Sequence, residues 1–337
     1  MNQRRRFFIA TALAPRFLTM IGANGFVANS IAKTNESIIS YPSRPIHLLA
    51  PFPPGGAVDF LARLIGEQLT MQMGQPVIVE NKPGANGNLA GNILAESPGD
   101  GYTLMLSGNG LATNTALYPS ANYDMLRDLR PVSYIGYAPL ILTVPVNSKF
   151  KSLQDVIEQA RKAPGTITFA SAGYGSSSHL GVELLKYMVK IDLLHIPYKG
   201  GAPAIVDLIG GRVMLMMQDP PQAMPHIQSG MLKVLAVGGP TRFNALPNVP
   251  TMAEAGYPGL KPVVWWGVVA PSSTPTTIVE KLNAEINKAL MLPNVRRKLE
   301  DLGVTPGTQT VKEFDTYLRS EIARWIIVAK SAGLKGD

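Results

Sequence analysis

The chain has 337 residues, 46% of them hydrophobic and 16% charged, with 31 Lys and Arg against 23 Asp and Glu for a formal net charge of +8. That length exceeds one compact core and predicts two domains, and the apolar fraction excludes a disordered chain. The absence of Cys excludes disulfide frameworks, thiolate metal sites, iron–sulfur clusters and cysteine nucleophiles.

The first 32 residues read as a leader. Arg4, Arg5 and Arg6 precede an apolar stretch at 7–14, and Ser30 and Ala32 offer small residues for cleavage near Ala32. Arg4-Arg5 followed by Phe7-Phe8 resembles a twin-arginine export signal, although Pro15 and Arg16 interrupt the apolar run. Pro15, Arg16, Asn24 and Asn29 also make the stretch too broken to span a bilayer. Export to the periplasm is therefore expected. Without the leader's four Arg, 27 basic residues face 23 acidic ones, a net +4. No later run of basic residues is interleaved with aromatics, so a nucleic-acid partner is excluded. The mild positive balance suits a protein that handles small anions.

After the leader, strand and helix patterns alternate. Residues 46–52 form a short apolar run, which Pro53-Pro54-Gly55-Gly56 breaks. Phe60, Leu61, Leu64, Ile65 and Leu69 then recur at helical spacing over 57–73. A strand is expected at 77–80, a turn at 81–87, a helix at 88–96 and a strand at 102–106. Residues 132–146 form a long extended stretch expected to cross between domains. Ser152 with Asp155 three residues on predicts a capped helix over 152–161. Strands at 167–170, 193–198, 213–217 and 232–237 follow, with helices at 179–189 and 203–208. Met214, Met216 and Met217 mark the third of these strands as buried. A strand at 263–269 and helices at 276–290 and 314–331 complete the chain. Repeated strand–helix units predict an α/β fold with mainly parallel sheets.

The recurring chemical feature is a strand, a Gly-rich loop and a helix, at 52–59, 171–179 and 199–203. Such loops present backbone N–H groups and the positive helix end to an anion. One end contributes ~0.3–1 kcal/mol when exposed and up to ~2 when partly buried, so several must converge. Any one of these loops is also an ordinary tight turn; the set of three carries the weight, because ligands of open α/β sheets sit at strand carboxyl ends. Asp59 either orients the first loop or caps its helix, and capping is the simpler reading.

Enzyme motifs are missing. There is no Gly-x-Ser-x-Gly elbow and no Gly-x-x-x-x-Gly-Lys-Ser/Thr phosphate loop. Gly173-Tyr174-Gly175 runs on to Ser178 where a dinucleotide fingerprint needs Gly. His47, His179, His195 and His226 lack metal-ligand spacing. His47 and His195 read as core residues, and His179 either donates to a ligand or braces its loop. Trp265-Trp266 either packs a hinge or lines a cleft, with packing the simpler reading. No cofactor and no metal are expected.

Landmarks in order across residues 41–335 carry a resemblance. They include Pro51-Phe52-x-x-Gly55-Gly56-x-x-Asp59, Val79-Glu80-Asn81-Lys82-Pro83-Gly84-Ala85, Asp100-Gly101-Tyr102-Thr103-Leu104, Ala170-Ser171-Ala172-Gly173-x-Gly175, His195-Ile196-Pro197-Tyr198-Lys199-Gly200-Gly201 and Pro247-x-Val249-Pro250-Thr251-x-x-Glu254-Ala255-Gly256. The sequence resembles the periplasmic solute receptors of tripartite tricarboxylate transporters, the Bug receptors.

The resemblance implies a two-lobed α/β periplasmic binding protein of type II-like fold, with a hinge between lobes and closure on the ligand. Lobe 1 would comprise 41–140 and 263–337, and lobe 2 would comprise 141–262. A monomer would capture a small organic acid and deliver it to integral membrane subunits of the transporter. Ligand contacts are expected from Phe52, Pro54, Gly55, Gly56, Ala57 and Asp59 in lobe 1. Ser171, Gly173, Gly175, Ser176 and His179 would contribute from lobe 2. Asn81, Gly84, Ala85, Ser107 and Asn109 would complete the wall, with the hydroxyls of Ser107, Ser171 and Ser176 as donors. Two features depart from the family pattern. Pro53-Pro54 removes two N–H donors before the paired glycines. Gln218-Asp219-Pro220-Pro221 shifts an acid by one position, which bears on specificity if Asp219 faces the cleft. The rival readings are an α/β enzyme acting on a small anionic substrate, with His179 its one attractive base, and a ligand sensor for a membrane signalling protein.

Overall fold

The structure is a computed structural model that describes residues 40–118, 121–331 and 333. The leader expected over residues 1–32, with its cleavage point, lies outside the described residues. In chain order the elements are β1 (Ile46–Ala50), α1 (Ala57–Met73), β2 (Val77–Asn81), a 3₁₀ turn (Ala85–Gly87), α2 (Asn88–Glu96), β3 (Thr103–Gly108), α3 (Asn109–Leu117) and β4 (Leu129–Pro139). Then come β5 (Ile141–Pro145), α4 (Leu153–Lys162), β6 (Thr168–Ser171), α5 (Ser177–Val189), β7 (Leu194–Pro197), α6 (Gly201–Ile209), β8 (Leu215–Gln218), α7 (Pro220–Gln228) and β9 (Leu232–Val237). The last are β10 (Val263–Pro271), α8 (Thr276–Met291), α9 (Pro293–Asp301), β11 (Thr305–Pro306) and α10 (Val311–Ser331).

Local sequence explains several boundaries. The helical spacing of Leu61, Leu64, Ile65 and Leu69 gives α1 its buried face, and Gly74, at φ 70°, ends the helix by donating its N–H to the Thr70 carbonyl. Ser152 accepts from the Asp155 N–H while the Asp155 carboxylate accepts from the Ser152 N–H, a reciprocal cap at the start of α4.

The fold is two-lobed, each lobe built on one sheet. The first sheet has the order β11-β4-β10-β3-β1-β2 and the second β7-β6-β8-β5-β9. β1 pairs parallel with β2 and β3, and β6 pairs parallel with β7 and β8. The other pairings, of β10 with β3 and β4, of β4 with β11, and of β5 with β8 and β9, are antiparallel. The sheets are thus mixed rather than mainly parallel. Parallel pairing needs a crossover of a dozen or more residues, usually a helix. Helical crossovers join the parallel strands β1, β2 and β3 and the parallel strands β6, β7 and β8, whereas β4, β5 and β10, which carry the chain between sheets, pair antiparallel with their neighbours.

The extended stretch expected over 132–146 is two strands, β4 in one sheet and β5 in the other, joined at Leu140. Leu140 is fully buried. It donates to the Pro262 carbonyl at 3.0 Å and accepts from the Gly238 N–H at 2.7 Å, which ties the outgoing strand to the returning one.

Trp265 anchors the first core, with its ring 6.0 Å from Phe314 and 5.8 Å from Tyr317 in edge contacts. The second core gathers Ala170, Ile205, Leu208 and Met216. Burial of such side chains contributes ~1.5–3 kcal/mol each. Two expected core residues differ. Met214 stands before β8 and is exposed, because the strand begins one residue later. His47 is half-buried and bonds Glu80 through Nδ1, because its position on β1 turns to the sheet surface beside β2. Among the described residues, no helix is long and apolar enough to cross a membrane.

Candidate functional site

Four helices begin at one cavity, each following a strand of a lobe: α1 after β1, α3 after β3, α5 after β6 and α7 after β8. Gly56, Ala57 and Val58 line it from α1, residues 108–111 from α3, Ser176 and Ser177 from α5, and Asp219 and Gln222 from α7. Ser107, Val264 and Trp266 close the wall, and Phe52 and Ala172 line both this cavity and the one beside it. The first three N–H groups of an α-helix have no intrahelical acceptor. In α1 the first intrahelical bond runs from Phe60 to Gly56, which leaves the N–H groups of Ala57 and Val58 at the cavity. α7 differs: Pro220 and Pro221 at its start have no N–H, so this helix contributes side chains instead.

Two buried side-chain atoms at the cavity have no partner among the described residues, Ser107 Oγ and Gln222 Nε2. Both can donate to an anion. Asp219 is the one ionisable side chain among the described residues lining the cavity. Ser177 Oγ donates to its Oδ1 at 2.9 Å, yet burial dominates and pushes its carboxyl up to about 6. An anion here meets helix ends and neutral donors rather than a Lys or Arg.

Other predicted residues build the loops instead of the wall. The Asp59 carboxylate accepts from Gly55 N–H at 3.1 Å and Asn81 Nδ2 at 2.9 Å, and pairs with Arg63 at 2.9 Å. Burial pushes its carboxyl up, but these hydrogen bonds outweigh it and hold it below the usual carboxylate range. Asn81 also donates to the Phe52 carbonyl at 3.0 Å. Pro54 and Gly55 are exposed, outside the cavity. The Asn109 side chain accepts from Trp265 N–H and donates to the Val263 carbonyl, both at 2.9 Å, so its amide fastens α3 to β10.

The second lobe's loop is braced by histidines. His179 Nδ1 accepts from Gly175 N–H at 3.1 Å. Its ring stacks on His195 with centroids 4.1 Å apart, and His195 Nε2 meets Ser171 Oγ at 2.6 Å. Burial pushes the His179 imidazole down to about 3, with further contributions from His195 and Lys186, and pushes His195 down to about 4. Both rings stay neutral near pH 7. His179 is buried and engaged with its loop, and Ser171 is fully buried with its hydroxyl held by His195 and Gly173. Ser176 reaches the cavity, but its hydroxyl donates to the Gly173 carbonyl at 2.6 Å. Of the three expected hydroxyl donors, Ser107 alone is uncommitted.

The two lobes meet around the cavity. Thr113 Oγ1 donates to the Gly175 carbonyl at 3.1 Å. Gly175 has φ 74°, and a Cβ there would collide with Leu117 and stand 2.7 Å from Asn86 Nδ2. Only glycine permits this approach. Gly200 packs on Pro53 in the same way, a Cβ there standing 3.0 Å from the proline ring. Gly84, Ala85 and Gly173 line a second, larger cavity that shares Phe52 with the first.

Gln222 is a cavity residue that the sequence reading does not single out, and Trp266 takes the second of its two expected places, lining the cavity rather than only packing. Gln222 lies three residues beyond Asp219, one turn on in a helix that opens with two prolines. Trp266 alternates with the core residue Trp265 along β10, which places it on the opposite face of the sheet.

The family model described as tripartite tricarboxylate transporter family receptor matches residues 61–334. Protein BugT of Bordetella pertussis is 39% identical over 322 residues, covering 95% of this chain and 98% of the relative. The structure of R. palustris Rpa4515 with adipate superposes with a TM-score of 0.85 at 36% identity, covering 88% of this chain and 99% of that one. The structure of MatC from Rhodopseudomonas palustris with bound malate gives 0.81 at 33% identity, covering 86% and 99%.

Proposed function

Because the chain belongs to the receptor family of the tripartite tricarboxylate transporters, we propose that its cleft holds the carboxylate of a small organic acid at the converging helix N-termini. The protein is a periplasmic solute-binding receptor of that family and not an enzyme. It captures a small organic acid for a tripartite transporter.

The observation that carries the site reading is convergence. N-termini of α1, α3 and α5 open on one cavity with the unpartnered Ser107 Oγ and Gln222 Nε2. No single end holds a ligand tightly at ~0.3–2 kcal/mol, but three with added donors reach useful affinity. In this reading Gly56, Ala57, Ser107, Asn109, Ser176 and Asp219 touch or border the carboxylate, Phe52 and Gly173 border the rest of the ligand, and Asp59, Asn81, Ser171 and His179 hold the loops in place. The adipate and malate of the two neighbours, both carboxylates, support it.

The same proposal divides the chain at 140/141 and 262/263, with lobe 1 as 41–140 plus 263–337 and lobe 2 as 141–262. The separate sheets and the tie at Leu140 support that division. It has a monomer deliver its ligand to the integral membrane subunits. Export through a leader cleaved near Ala32, whose Arg4-Arg5 resembles a twin-arginine signal without choosing between that route and the general secretory one, rests on the leader's residue pattern. A thermal-shift screen of mono- and dicarboxylates tests the reading: at least one acid is expected to raise the unfolding temperature, and no stabilisation by any acid contradicts it.

A further inference from the structure

The cavity at the helix N-termini is small. Its volume is about 50 Å³. A single water needs ~10–15 Å³ on that measure, so this chamber takes a carboxylate and little more. The adjoining chamber has about 740 Å³ and shares Pro51, Phe52 and Ala172 with the first. Tyr174 and Tyr198 wall it from one lobe, and Gly84 and Ala85 from the other.

Both tyrosine rings are held. Tyr198 donates its hydroxyl to Asp207 Oδ2 at 2.8 Å. Tyr174 packs its ring edgewise on His179 and His195, with centroids 5.4 and 4.9 Å away. Gly84 and Gly173 bring backbone without side chains to the same space. A prepositioned aromatic wall beside an anion cavity favours a flat apolar group, because ring pairs in offset or edge geometry add to the burial of area. Most of a drug-sized ligand's surface is buried in chambers of this kind.

We propose that the ligand is a carboxylate bearing an aromatic ring, with the carboxylate at the helix N-termini and the ring passing Phe52 and Ala172 into the chamber walled by Tyr174 and Tyr198. This rests on the carboxylate reading above and adds the class of acid.

Calorimetric titration of the purified protein with propionate, benzoate and phenylacetate tests it. At least one aromatic acid is expected to bind tenfold or more tightly than propionate. Tyr174→Ala and Tyr198→Ala are each expected to lower the aromatic affinity at least fivefold more than that of propionate. Two substitutions are used because either can unsettle its loop, and thermal unfolding checks each. Propionate binding as tightly as the aromatic acids overturns the inference and leaves the carboxylate reading standing. An aromatic preference that survives both substitutions places the ring elsewhere and also overturns it. If none of the three acids binds while the thermal-shift screen finds other acids, only the aromatic class falls. If no acid binds in either experiment, the carboxylate reading falls with it.

Discussion

At the residue scale, Ser107 carries a clear expectation. Its hydroxyl is buried and has no partner among the described residues, so it adds nothing to the fold and is available to a ligand. Ser107→Ala is expected to leave the unfolding temperature unchanged or slightly higher, while carboxylate affinity falls five- to tenfold, about 1 kcal/mol. Paired unfolding and titration measurements read both. Asp219 adds a pH dependence. Its carboxyl, raised by burial to about 6, is neutral below that pH and repels an anion above it. Wild-type affinity for a carboxylate is therefore expected to fall as pH rises through 6, by up to about tenfold between pH 5 and 7, and Asp219→Asn is expected to flatten that slope. The raised value also means that the ionised acid destabilises the fold, with a cost that grows from the unfolded value of 3.8 up to about 6 and is constant above. Asp219→Asn is thus expected to raise the unfolding temperature at pH 7.5 and to have little effect below pH 4.

At the element scale, the loop between β6 and α5 is a braced unit. His179 and His195 are held neutral, far below the usual 6.5. The unfolded chain binds their protons first, so stability is present above pH 6.5 and is lost as pH falls toward 4. Acid unfolding of His195→Gln, followed by circular dichroism, is expected to be shallower over that range than that of the wild type. Helix α1 is legible in the sequence from end to end, since apolar spacing defines its face and Gly74 its stop. Helix α3 is not: Leu111, Ala112, Thr113 and Asn114 are all buried, so it has no polar face to give a period. Helix α7 hides behind Pro220, Pro221 and Pro225, which read as breakers, although proline at the first helical position is well tolerated. Missing these two helices hid two of the four helix starts at the cavity, and with them Gln222. The Gly-rich loops are legible as helix starts because glycine and the capping residues are local features. Which side chains face inward is not, because Asp59, Asn81, Ser171 and His179 take their roles from partners far along the chain or across a loop.

At the scale of the whole molecule, the two lobes meet at Gly175, Thr113 and Asn86. Gly175→Ala strains a positive φ and intrudes on the opposite lobe, so it is expected to weaken ligand binding at least tenfold by opposing closure while the unfolding temperature falls only a few degrees. Titration and thermal unfolding together distinguish this from a general loss of fold. The central claim is that a carboxylate sits where the helices of both lobes begin. A crystal structure of the protein purified from periplasm without stripping its ligand tests it most directly. The expected density is a carboxylate within hydrogen-bond distance of Ser107 Oγ and of backbone N–H groups at the starts of α1 and α3. A bound ligand whose charged group lies away from these N–H groups, or a neutral or cationic ligand in the cavity, contradicts it.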